Sequence, residues 1–195
     1  MARTKLRSRK DVVERTVALS EALRQALAEL SWNGDDSDAL VEAAWAGEGL
    51  GMLLWALELA QLPPYDRPFD TEGLVATALD EAILRPEDEI ERARETARLW
   101  HWRARTAQLQ ADGYEDLPQD WQSFDQLVGA TAMRGFEQGL LPRPLRGDFP
   151  AFGAVYRELT EEQQAEAHQI AWQRHRALNW LCGLGKNWDA VPTDT

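Results

Sequence analysis

From Asp11 onward the apolar positions recur at helical spacing. Val13, Val17, Ser20, Leu23 and Leu27 fall three and four apart, which predicts one apolar face on a first helix. NGDDSD at 33–38 breaks the pattern, and Ser37 or Asp38 is placed to cap a second helix. That helix carries GLGMLLWALELA, apolar on nearly every side, and is expected to be the central buried one. The tandem prolines of LPPYDRPFD, 62–70, stop it, because proline lacks an amide hydrogen and pushes the residue before it into extended geometry.

A short third helix is predicted from Asp70 and Glu72 to about residue 84. A fourth starts with Pro86 as its first residue and puts Glu87, Asp88 and Glu89 at the positive end of its dipole. It runs to about residue 110, and DGYEDLPQD follows as loop. The fifth covers about 123–139, with Gly129 and Gly135 as candidate interruptions. LLPRPLRGDFPAFG reads as loop again, and Thr160 with Gln163 forms a capping box for a last helix that ends near Cys182, with Gly183 just beyond it. No stretch alternates with a clean two-residue period and no internal repeat is present. The expectation is an all-α protein: residues 11–195 as one compact domain of about six helices with an ordered C-terminal tail, and residues 1–10 as a basic, flexible arm.

The tail belongs to this expectation because of what it contains. After Gly183 and Gly185 allow the chain to reverse, Trp188 and Val191 offer apolar groups to a core, and Pro192 lowers the entropy cost of pinning them. Asp189, Thr193 and Asp194 supply hydrogen-bond acceptors.

Charge and composition narrow the partners. The chain has 195 residues, a formal net charge of −12 and nine tryptophans. An acidic body repels phosphate backbones, so duplex nucleic acid is excluded as a partner, while a basic protein or a small anionic ligand remains. Arg3, Lys5, Arg7, Arg9 and Lys10 form a locally basic start that leads into a charged helix, not a signal peptide. The longest apolar-and-glycine run, 49–57, is too short to span a bilayer, and a cytoplasmic location is expected. Cys182 is the one cysteine, which rules out an intrachain disulfide and a cysteine-rich zinc site, and its apolar surroundings predict an inert thiol.

Candidate chemistry concentrates on two helices. RLWHWRARTAQL places Arg94, Arg98, His101 and Arg105 on one strip, and Ala93, Ala97, Trp100, Ala104 and Ala107 on another. The basic strip is either a set of ion pairs, for example Glu91 with Arg94 or Arg98, or a pocket for a carboxylate or phosphate. On the last helix His168, Trp172, His175, Asn179 and Cys182 share a side. His168 and His175 lie about 10 Å apart along that helix, too far to share one metal ion, and neither a metal nor a cofactor is expected. Asn179 sits in an apolar stretch, where an unsatisfied amide would cost about 1–3 kcal/mol, so it needs a partner. The tail folding back to bring Asp189 or Asp194 to His175, Asn179 or an arginine would supply one. The candidate polar pocket therefore comprises Arg103, Arg105, His175, Asn179, Asp189 and Asp194. No nucleophile elbow and no phosphate loop occurs.

RHRALNWLCGLGKNWDAVPTDT, 174–195, together with GLGMLLWALELAQLPPYD and LWHWRARTAQL, resembles the bacterial domain-of-unknown-function family 4272. The segments spread over most of the chain. Where the family pattern carries an arginine after the tryptophan of the central helix, Ala46 follows Trp45 here, while Glu48 fits the pattern. The resemblance implies a helical bacterial domain and transfers no catalytic residues. The leading functional expectation is a non-enzymatic binding or protein-interaction domain, of an immunity or regulatory kind. The alternative is an enzyme on a small anionic substrate, with Arg103 or Arg105 as anchor, His175 as acid–base and Asp189 as its orienter.

Overall fold

Two buried arginine–carboxylate pairs and one apolar core hold five α-helices together in a computed structural model that describes residues 5–33, 37–70, 79–114, 116–117 and 120–195. The helices are α1 (Arg9–Asn33), α2 (Ser37–Ala56), α3 (Glu87–Ala111), α4 (Phe124–Glu137) and α5 (Glu161–Leu181). Their packing order is α1 on α2, α2 on α5, α5 on α3 and α3 on α4, so α5 lies at the middle of the stack. The architecture is compact and mainly helical, as expected.

Local rules explain the helix ends. Ser8 and Asp11 cap α1 reciprocally: the Ser8 hydroxyl accepts from the Asp11 amide, and the Asp11 carboxylate accepts from the Ser8 amide. The Ser8 hydroxyl also donates to the Asp11 carboxylate at 2.8 Å, and this bond, then the one from the Ser8 amide, holds the Asp11 carboxyl below its ordinary range. Ser123 caps α4 by accepting from the Gln126 amide, and the Thr160/Gln163 box opens α5 as predicted. Pro86 stands one residue before the first turn of α3, at the cap position and not inside the helix. Arg85 closes the end of α2, donating its amide to Ala56 O and its Nε to Trp55 O while its guanidinium lies over the Trp55 ring.

The structure departs from expectation at several points. In α1 the buried stripe is Val12, Thr16, Ser20 and Leu23, and Val17 and Leu27 are exposed. Thr16 can be buried because its hydroxyl donates to Val12 O at 2.8 Å, which removes the polar cost that would otherwise hold it at the surface. Of the expected basic arm, residues 5–10 are described, and Arg7 and Arg9 are bonded to the body of the protein. The Arg7 amide donates to Leu181 O, its side chain donates to Trp180 O and Gly185 O, and Arg9 donates to Asp80 O, so α1 starts already docked. The predicted third helix falls mostly on 71–78, outside the described residues, and 79–86 form no helix. α4 is uninterrupted at Gly129 and Gly135. Inside the predicted loop, Pro150–Ala151 pairs antiparallel with Ala154–Val155. The hairpin turns at Phe152 and Gly153, both at positive φ, and two residues per strand leave no alternation to detect.

The helix expected to be central, α2, lies second in the stack, beside α5, and its burial is unbroken from Gly47 through its end and on to Leu57. Two glycines of α2 are needed for contact: a Cβ on Gly51 would sit 2.3 Å from the Phe69 ring, and one on Gly49 would sit 2.9 Å from the Trp188 indole. Glu48 lies on the same helix and receives the Arg174 Nε of α5 at 2.9 Å, with side chains 1% and 0% exposed. Arg174 also donates to Pro63 O, Pro64 O and Arg67 O, while Glu48 accepts from the Phe69 amide. The loop that tandem prolines force out of helix is thus tied to the two central helices through one guanidinium.

The tail is part of the fold. Gly183, at φ 76°, lets the chain leave α5, and Trp188 packs edge-on against Trp180 in the core. Asn179 donates to Pro192 O at 2.8 Å, answering the demand of its buried amide, and Trp172 Nε1 donates to Thr193 Oγ1 at 3.0 Å.

A chain ending at Lys186 loses Trp188 and the Pro192 carbonyl, and a urea melt is expected to show a loss of at least about 2 kcal/mol, as for removal of a buried aromatic. A truncated protein within about 0.5 kcal/mol of the parent, the range of bland surface changes, contradicts the structural role of the tail. Arg174→Met strands the Glu48 carboxylate and is expected to cost about 3–5 kcal/mol in the same assay. A cost below about 1 kcal/mol, no more than an exposed pair contributes, would mean that the pair does not tie the two helices together.

Candidate functional site

The mutual packing of α3 and α5 decides where polar side chains meet. The strip Ala93, Ala97, Trp100, Ala104 and Ala107 is buried, as its spacing predicts, and this leaves the other side of α3 to carry charge. There Arg94 and Arg98 are taken up by Glu95, at 3.4 and 3.0 Å, and not by Glu91. Arg105 is exposed; its Nη1 donates to Gln108 Oε1 at 2.6 Å, and it makes no ion pair among the described residues.

Arg103 does not share the site with Arg105. It is 1% exposed and holds Asp148, also 1% exposed, in a two-pronged pair at 2.7 and 2.9 Å, with its guanidinium over the Tyr156 ring. Burial pushes the Asp148 carboxyl upward, but the Arg103 fork and the amides of Phe149 and Arg157 outweigh it and hold the group below its ordinary range. Arg103 is therefore an architectural residue. Asp189 is likewise placed elsewhere: its side chain is 92% exposed and reaches Arg176 at 3.4 Å, away from His175.

Three histidines, two from α5 and one from α3, occupy the seam. His101 Nδ1 lies 3.2 Å from His175 Nδ1, His175 Nε2 lies 3.1 Å from Asn179 Nδ2, and the His101 and His168 rings stack with centroids 5.6 Å apart. The backbone and Arg105 fix which nitrogens carry hydrogen. The Pro192 carbonyl can only accept, so the Asn179 amide nitrogen faces it, and the same nitrogen donates to His175 Nε2. His175 then carries its hydrogen on Nδ1 and gives it to His101, whose own hydrogen must sit on Nε2. In the second chain of bonds Arg105 donates to Gln108 Oε1, so the Gln108 Nε2 at 3.0 Å from His168 Nδ1 is the donor, and His168 too carries its hydrogen on Nε2. These assignments need neutral rings. Burial, then the neighbouring histidines and Arg105, pushes His101 down to about 4. Burial, then Arg98 and Arg94, does the same for His175, and burial with Arg105 lowers His168.

The seam opens into a cavity of about 520 Å³ lined by His101, Arg105, His168, Trp172, Thr193 and Asp194, among others. Arg105 and Asp194 of the expected pocket line it. His175 and Asn179 stand one layer behind, with both His175 nitrogens already engaged. His101 and His168 line it as well; His101 belongs to the basic strip of α3, but neither histidine is among the six residues of the expected pocket. Spacing along one helix separates His168 from His175, but it cannot show that His101 stacks on His168 from a second helix. A cleft of about 450 Å³ between α3 and α4 contains Trp102 and Trp121, and there Arg98 is already neutralised by Glu95.

Cys182 is buried, and burial pushes its thiol up to about 11, which makes it unreactive. Among the described residues no group of three or more histidine, cysteine, aspartate or glutamate side chains is arranged to hold a metal ion, and no helix is long and apolar enough to cross a membrane. Compared with protein-family models, curated proteins and solved structures, the chain gives no match.

The histidine chain makes stability depend on pH. Unfolded imidazoles protonate near pH 6.5, whereas His101 and His175 resist until about 4. Between those values the unfolded state binds more protons, so this part of the stability is complete above pH 6.5 and is lost as pH falls toward 4. Urea melts from neutral pH down through this window are expected to give a steadily falling stability, with a shallower fall for His101→Leu. Equal midpoints at its two ends would contradict the buried neutral pair.

Proposed function

We propose that this protein is a non-enzymatic binding domain that holds a small ligand with an anionic group in the cavity between α3, α5 and the tail. The supporting observation is the cavity wall itself: Arg105, not neutralised by an ion pair among the described residues, stands beside two histidines whose fixed tautomers leave only Nε2–H donors to offer. Guanidinium and imidazole donors suit carboxylate or phosphate oxygens, and a cavity of several hundred Å³ suits a compact organic molecule. Binding without chemistry is preferred because the acid–base pair of the alternative, His175 with Asp189, is not assembled, and His175 has no nitrogen left for a substrate. The same reading takes the chain as a relative of family 4272, on the strength of its C-terminal motif.

Ligand binding to the folded state raises its melting temperature. A panel of phosphate, mono- and dicarboxylates, amino acids and short peptides is expected to contain members that raise it by several degrees. Ligand at about 100 times Kd is worth about 2.7 kcal/mol, and each kcal/mol moves a chain of this size by roughly 2–4 °C. Arg105→Ala is expected to abolish those shifts without changing the far-ultraviolet circular dichroism. A panel with no Arg105-dependent shift would end this reading.

A further inference from the structure

The cavity carries a second, opposite charge. Asp194 lines it together with Arg105, yet no ion pair joins the two, and Asp194 makes none with any other described residue. Asp194 is exposed and follows two residues that are held in place. Asn179 holds Pro192 O, and Trp172 Nε1 holds Thr193 Oγ1, which places the residues just before Asp194 against α5. Arg105 is held in turn by Gln108, itself bonded to His168. The guanidinium and the carboxylate therefore belong to two separately anchored elements and line one cavity of about 520 Å³.

The wall between them narrows the choice of ligand. His101 and His168 are neutral and offer only donors, so they add acceptor-binding capacity on the Arg105 side without adding positive charge there. Near Asp194 the neighbouring Thr193 hydroxyl already accepts from Trp172 and keeps a hydrogen to donate. A purely anionic ligand satisfies the first wall but brings its charge toward the Asp194 carboxylate. A purely cationic ligand meets the opposite conflict at Arg105. A molecule carrying both charges satisfies both ends.

We propose that the cavity is a zwitterion site, receiving a ligand of the amino-acid or short-peptide class with its carboxylate toward Arg105, His101 and His168 and its ammonium toward Asp194. This rests on the reading of the cavity as a ligand site and specifies what that site selects. The ammonium donates hydrogen bonds to Asp194, the carboxylate accepts from the guanidinium and imidazole N–H groups, and no covalent step is involved. Free amino acids and peptides share this chemistry and differ in the spacing of the two charges.

The test uses isothermal titration of the full chain with the common free amino acids, a set of dipeptides and the N-acetyl derivative of each. Acetylation keeps the carboxylate and removes the ammonium. The expected result is at least one free amino acid or dipeptide that binds about tenfold or more tighter than its N-acetyl form, as loss of a hydrogen bond between charged groups implies. Asp194→Asn is expected to erase that difference while the N-acetyl form binds as before, and Arg105→Ala to weaken both. Preference for amino acids or for dipeptides reports the charge spacing. Equal binding of free and N-acetyl forms overturns the zwitterion assignment and leaves the anion site intact. A preference that survives Asp194→Asn overturns the role of Asp194. Absence of any Arg105-dependent binding overturns both readings together.

Discussion

A guanidinium with no exposed surface is the constraint on which the rest of the structure depends. Arg174 is in the middle helix of the stack, and taking its charge out of water is tolerable only because its surroundings are filled with partners. Glu48 of α2 neutralises it, three loop carbonyls accept from it, and the rings of Tyr65 and Phe69 lie about 5 Å from it. The loop carbonyls belong to a segment that prolines keep out of regular structure and that would otherwise bury unpaired acceptors. One side chain thus orients two helices and gives an irregular connection a single shape.

A second buried arginine repeats the solution on the other side of the core, and the two are physically linked. Tyr65, which lies beside Arg174, stacks on Trp100 with ring centroids 5.3 Å apart. Trp100 meets Phe149 edge-on at 5.2 Å, and Phe149 follows Asp148, the partner of Arg103. The aromatic series runs between the two ion pairs and leaves little room for α3 and α5 to slide on each other. His101 and His168 project from those same helices, so the spacing of the cavity wall is set by packing deeper in the molecule.

Helices and their caps are legible in the sequence because both depend on neighbours a few residues away. The Thr160/Gln163 box, the burial of the second half of α2 and the docking of the tail through Trp188 and Asn179 all follow from local pattern. What escapes is pairing across the chain. The candidate site takes in Arg103 together with Arg105, but Asp148 arrives from a distant loop and removes Arg103 from it. The return of the tail suggests Asp189 beside His175, and the tail does return, yet its register gives that place to Pro192 and leaves Asp189 with Arg176. One signal is present in the sequence: Arg174 falls in helical step with Ile170, Ala171, Ala177, Leu178 and Leu181, all buried. An arginine on an apolar stripe demands a buried acid, and Glu48 within the most apolar helix is its natural complement.

The clasp between Arg7 and the end of α5 joins residues 173 and 178 positions apart. Closing so long a stretch of chain is among the slowest kinds of contact to form, since the entropy of the loop is lost before the contact returns anything. On the ribosome α1 is made well before its docking point, which does not exist until Trp180 and Gly185 have been synthesised. Until then the first helix waits with that side unclasped. The arrival of α5, and not the completion of α1 itself, becomes the moment at which these two distant segments lock.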